Sequence, residues 1–166
     1  LDKKLDNQIN DCFSDIFEIY DDIKHLGEEL NITLIKNKEF NEDNLMRYHF
    51  VSYSDENYDP TASYVLQFLK NKLTNFRNTS TTENYQEIED FINSYTESLK
   101  SFFENCKNVI ERAKTEPKYF KLFVVLNLSA TLYPLIVKLE SLKLLDKNLE
   151  TKNYEKFTFY DLIELI

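Results

Sequence analysis

Residues Glu83–Ala113 read ENYQEIEDFINSYTESLKSFFENCKNVIERA. Within them Tyr85, Ile88, Ile92, Tyr95, Leu99, Phe102, Cys106, Val109 and Ala113 follow in steps of three and four, the spacing that lines side chains along one face of an α-helix. No glycine or proline interrupts the run. At about 1.5 Å of rise per residue it predicts a helix on the order of 45 Å long. The N-terminal stretch repeats the pattern: Leu5, Ile9, Cys12, Ile16, Ile19, Ile23 and Leu26 predict a second long helix over about Asp2–Leu26. Phe13, Phe17 and Tyr20 flank that seam and are expected to widen it into a buried stripe, as in a globular bundle.

The rest of the chain agrees with this pair. There is one glycine, Gly27, in 166 residues. Only glycine takes φ > 0 without steric cost, so a Gly-rich phosphate loop, a nucleophile elbow and a series of tight hairpins are all excluded. Gly27 itself is expected to stop the first helix. Asn41 should cap a helix over 42–52. Asp59-Pro60 should open another, with Ala62, Leu66, Leu69, Leu73 and Phe76 on one side. Residues 78–82 form a polar break. Thr115 and Pro117 begin a helix to about Leu128, and Ala130–Leu145 follows with Pro134 either near its first turn or kinking it. Thr158 can cap a last helix. One extended piece is expected at Ile32–Ile35, where β-branched residues cluster. The fold class predicted is all-α, an irregular bundle of about six to seven helices in a single domain.

Composition narrows the function. The net charge is −9, with 42% hydrophobic and 30% charged residues, which opposes unaided attraction to nucleic acid or anionic membrane. Leu122–Val137 is an uncharged run, shorter than the ~20 residues that span a bilayer. It is expected to be a buried central helix pair, with no membrane partner. Cys12 and Cys106 occupy apolar positions and read as small core residues of a reducing, cytoplasmic compartment. The chain opens at Leu1 inside a helical pattern and ends on the apolar run 161–166, which predicts an internal piece of a longer protein.

Few residues offer chemistry. Asp21 and His25 share a helix face, but spacing supplies no third metal ligand. Arg47 and His49 are two apart, about 200° around a helix, so they do not form a pair. His49, among aromatic neighbours, is expected to be packed or hydrogen-bonded. Neighbouring acids such as Glu89 and Asp90 diverge rather than converge. The segment 61–82 carries Lys70, Lys72 and Arg77 with no acid, a candidate phosphate-contacting face. No catalytic, metal-binding or cofactor-binding residue is nominated.

Two stretches resemble a known family. Asp43–Phe50 (DNLMRYHF) carries a leucine followed by Arg-x-His-aromatic, and Leu132–Glu140 (LYPLIVKLE) is followed by Leu144-Leu-Asp146 and 157–166. Both are similar to the central helical region of the GmrSD-type family of large bacterial proteins. These have a ParB-like N-terminal domain and often a C-terminal HNH nuclease domain, and include modification-dependent restriction endonucleases and phage-defence proteins. Phe50 stands where many relatives carry Trp. Neither the Asp-Gly-Gln-Gln-Arg-type nucleotide motif nor the HNH signature is in this chain. The resemblance therefore implies a non-catalytic helical connector, with Arg47, His49 and Pro134 as structural residues. It implies other domains of the same polypeptide as partners, and DNA through the parent protein. An independent helical protein–protein interaction module is the alternative, and a helical enzyme, such as a compact RNase, using Arg47 or His49 a third.

Overall fold

The computed structural model describes residues 3–36, 40–53, 61–78 and 84–145. Among them lie seven α-helices and no strand: α1 (Lys3–Glu29), α2 (Thr33–Lys36), α3 (Glu42–Tyr53), α4 (Ala62–Asn78), α5 (Asn84–Glu111), α6 (Pro117–Phe120) and α7 (Tyr133–Ser141). Short 3-10 turns follow α5 and precede α7, and a π-helical turn, Lys121–Val125, continues α6. The all-α class is correct.

The two seams find each other. Asp15, Asp22 and Glu29 of α1 pair with Lys100, Lys107 and Lys114, the first two on α5 and the third in the turn that ends it. Both sets recur every seven residues with a constant offset, so α1 and α5 run parallel in heptad register, their ion pairs flanking the seam. Each Lys107 and Lys114 contact closes at 2.6 Å. The partnership holds the Asp22 carboxyl below its usual range and pushes the Lys100 and Lys107 amines up. Ile16, Tyr20, Ile23 and Leu26 meet Leu99, Phe102, Phe103, Cys106 and Ile110 in one continuous buried core. Tyr20 also sets its ring edge-on to Phe103 at 6.4 Å. Burying each such side chain contributes about 2 kcal/mol of transfer free energy.

The widened stripe on α1 is a correction. Tyr20 is buried, but Phe13 is exposed and Phe17 keeps 58% of its surface. The reason is that α1 packs chiefly on α5 and α2, so its seam is covered while the flank carrying Phe13 and Phe17 is not.

The helix stop is a second correction. Gly27 lies inside the last turn of α1, without positive φ. The left-handed residue is Asn31, at φ 60°. Ile32 N donates to Gly27 O (2.8 Å) and Asn31 N to Glu28 O (3.2 Å), the paired bonds of a Schellman stop. Gly27 serves another need, since a Cβ there would lie 2.4 Å from Ile35 Cγ2. The expected extended piece at 32–35 is instead this close-packed single turn, α2, with Leu34 and Ile35 buried.

The remaining helices crowd the other side of α5. Asn41 caps α3 as expected, its Oδ1 accepting from Asn44 N at 2.9 Å. Thr61 caps α4 through Oγ1, which accepts from Tyr64 N at 3.2 Å; the expected Asp59-Pro60 start and Thr158 cap lie outside the described residues. The stripe expected on α4 is split, a third correction. Leu69 and Phe76 pack inward, but Leu66 and Leu73 face out, and Val65, fully buried, and Phe68, 5.0 Å from Phe50, lie inside instead. The aromatic partners on α3 and α5 select the face carrying Val65, Phe68, Leu69 and Phe76. Pro134 lies in the first turn of α7 and is buried.

Arg112 ties the end of α5 to α7. It grips Glu116 through Nε (2.7 Å) and Nη2 (3.2 Å), reaches buried Glu140 through Nη1 (3.1 Å), and stacks over Tyr119. Between these anchors, Leu122, Phe123, Leu128, Ile136 and Val137 are buried, but Val125, Leu126, Leu132 and Leu135 are exposed. The uncharged run is therefore only half interior: a π turn and a left-handed Asn127 (φ 51°) break it before it can form the expected helix pair.

Candidate functional site

Where α3, α5 and α7 meet, a cleft of about 250 Å³ opens. It is lined by His49 and Ser52 of α3, Ser98, Ser101 and Asn105 of α5, and Lys138 of α7, among others. The two stretches 43–50 and 132–140, far apart in sequence, adjoin here. Tyr48 stacks on Tyr133 with centroids 6.4 Å apart, while His49 and Lys138 line the same cleft.

His49 is the best-defined polar group. It is 1% exposed, its ring stacks on Tyr53 at 5.3 Å, and Tyr95 and Phe102 set their rings edgewise to it. Nε2 lies 3.0 Å from Ser98 Oγ. Nδ1 is buried with no hydrogen-bond partner among the described residues. An unpaired acceptor costs less than an unpaired donor, so the favoured tautomer places its proton on Nε2 and donates to Ser98. Burial, helped by the Lys138 charge, pushes the imidazole down to about 4. Burial also pushes Tyr95 up to about 12.

This arrangement does little chemistry at neutral pH. A base that holds its proton only below about pH 4 is poorly matched to deprotonating a serine, and among the described residues no carboxylate lines the cleft to orient the ring. Ser52 and Ser141 donate to carbonyls three residues earlier in their own helices, and Asn105 donates to Ser101 O. Their remaining lone pairs make the cleft a polar seam between helices. The expectation of a packed, hydrogen-bonded His49 is what the geometry displays. The serine partner was not foreseen, although Ser98, Ser101 and Asn105, at i, i+3 and i+7, form a polar stripe beside the α5 seam that periodicity could have revealed.

Among the described side chains, the other nominated residues do not converge. Arg47 donates from Nη1 to Asn44 Oδ1 at 3.1 Å on its own helix. Lys70 is exposed, while Lys72 leans over the rings of Phe76 and Phe91 at 5.6 and 6.0 Å. The two lysines thus serve different sides of α4, and the side chain of Arg77 lies outside the described residues. Asp21 and His25 are exposed, and among the described residues no group of three or more His, Cys, Asp or Glu is placed to hold a metal ion. None of the described helices is long and apolar enough to cross a membrane.

Fold and cleft together define an all-α multi-helix protein with a polar interhelical seam. Comparison with known protein families, with curated proteins and with solved structures finds no match to the chain.

Proposed function

We propose that this chain is a helical connector in a bacterial DNA-targeting defence protein of the GmrSD type, holding an NTPase-like and a nuclease domain in fixed relation. The observation that carries the proposal is the distribution of large apolar side chains on the outside. Leu66 and Leu73 on α4, Phe13 and Phe17 on α1, and Val125, Leu126, Leu135 and Leu142 toward the end of the described chain are all exposed beside a filled core. Uncovered apolar faces of this kind mark docking surfaces rather than a finished exterior. Support also comes from the resemblance at 43–50 and 132–140, whose residues pack on one another at the cleft.

The test is functional. The 166-residue chain alone is expected neither to hydrolyse nucleotide nor to cut DNA. In the longer polypeptide of this proposal, Leu66→Ser with Leu73→Ser is expected to lower defence activity at least tenfold while helix content by circular dichroism is unchanged. Turnover by the isolated chain, or full activity of the double variant, overturns the proposal.

A further inference from the structure

The cleft between α3, α5 and α7 carries hydrogen-bond donors that the fold leaves unused. With its proton on Nε2, His49 donates to Ser98 Oγ at 3.0 Å, so the Ser98 hydroxyl proton has no acceptor among the described residues. The same is true of Ser101, whose Oγ accepts from Asn105 Nδ2 at 3.3 Å. Ser98 and Ser101 are about one helical turn apart on α5, hence neighbours on the face that lines the cleft. Ser52 and Ser141, which line it from α3 and α7, are unlike them: each gives its proton to a carbonyl of its own helix.

Lys138 adds a charge. Among the described residues its Nζ makes one bond, a long one of 3.4 Å to Ser52 O, and no carboxylate lines the cleft beside it. By contrast Lys100, Lys107, Lys114 and Lys143 each meet an acid. The acids nearest in sequence to the cleft are engaged elsewhere. Glu97 acts on Cys12 and Glu104 on Lys100, at the α1 side of α5, and Glu140 is bonded to Arg112. His49 completes the setting. Its ring is 1% exposed and lines the cleft, and with Nδ1 unpartnered its one hydrogen bond is the bond to Ser98.

We infer that this cleft binds the phosphate group of a small phosphate ester, held by the Lys138 ammonium and the Ser98 and Ser101 hydroxyls. A phosphate monoester offers three free oxygens to these three donors, and each bond is charge-assisted from the ligand side. The His49 proton on Ser98 Oγ polarises that hydroxyl toward the anion, so the buried ring strengthens a bond it does not itself make. Tyr53 and Val137 give the organic part of the ester an apolar wall. A cleft of about 250 Å³ in a chain of net charge −9 suits a small ester and opposes a nucleic-acid strand.

The experiment is an NMR titration of the 166-residue chain at pH 7 and constant ionic strength, read at the His49 ring and at the Ser98 and Ser101 amides. The probes are inorganic phosphate, ribose 5-phosphate and single-stranded oligothymidylate. Both small phosphates are expected to give saturable shifts at these groups, with Kd on the order of a millimolar, and the ribose ester to bind at least as tightly. The oligonucleotide is expected to leave them unmoved. Lys138→Met should weaken ribose 5-phosphate about tenfold, and Ser98→Ala with Ser101→Ala about fivefold, both with unchanged circular dichroism. Lys70→Met, on exposed α4, should bind as wild type. No saturable shift with the small phosphates, an oligonucleotide that binds as tightly as the ribose ester, or a Lys138→Met chain with wild-type affinity overturns the inference. The connector reading is tested by activity of the longer polypeptide, so the two fail separately.

Discussion

Ile35 Cγ2 sits where a side chain on Gly27 would need to be, 2.4 Å from the position of its Cβ. Gly27→Ala should therefore destabilise the chain by about 1–3 kcal/mol despite alanine's better helix propensity, because the contact is with a buried, stiff β-branched residue. Urea unfolding measures it, and unchanged or increased stability contradicts the packing. Lys143 presents the opposite case. It sits at φ 55° as the left-handed stop after α7, with Lys143 N donating to Glu140 O and Leu144 N to Leu139 O. Lys143→Gly relieves that conformation and should raise stability by several tenths of a kcal/mol, less the weak exposed pair with Glu140. His49 makes stability depend on pH. Its folded pKa of about 4 lies below the ordinary 6.5, so above pH 6.5 the ring is neutral in both states and its contribution is complete. Between those values the unfolded chain takes up a proton that the folded chain refuses, and stability falls as pH falls. About 2 kcal/mol should be lost from pH 7 to pH 5, and His49→Gln should remove that share of the slope. An NMR titration of the ring with its midpoint near 6.5 contradicts the burial.

At the scale of elements, α4 separates face from composition. Val65→Ala should cost about 1–3 kcal/mol, since Val65 is fully buried, while Leu66→Ser next to it should stay within about 0.5 kcal/mol. Equal costs in denaturant melts would contradict the inner face that Val65 marks. This helix also marks how far the sequence could be read. α1 and α5 were legible as long helices with one apolar seam each because a three-four repeat is sustained along them, but their pairing with each other was not. The Asn41 cap and the placing of Pro134 were legible for local reasons. On α4 two apolar stripes coexist, and only the rings of Phe50 and Phe91, contributed from elsewhere, choose between them. The same limit applies to Phe13 and Phe17: periodicity assigns them a side of α1, but covering that side depends on neighbours periodicity does not name. At the cleft, His49 was recognisable as a packed residue among aromatics. Its bond to Ser98 depends on how α3 lies across α5, a relation between elements that no local pattern encodes.

The described residues combine a continuous interior, built on the parallel α1–α5 pair, with large apolar side chains left outside on several elements. The central claim is that these outer faces are docking surfaces of a helical scaffold. Hydrogen–deuterium exchange tests it most directly, comparing the 166-residue chain with the polypeptide encoded by its full reading frame. Amides within 62–78 and 120–142 should exchange at least tenfold more slowly in the longer polypeptide, while those of the α1–α5 seam change little. Identical exchange at 62–78 and 120–142 in both would contradict the claim.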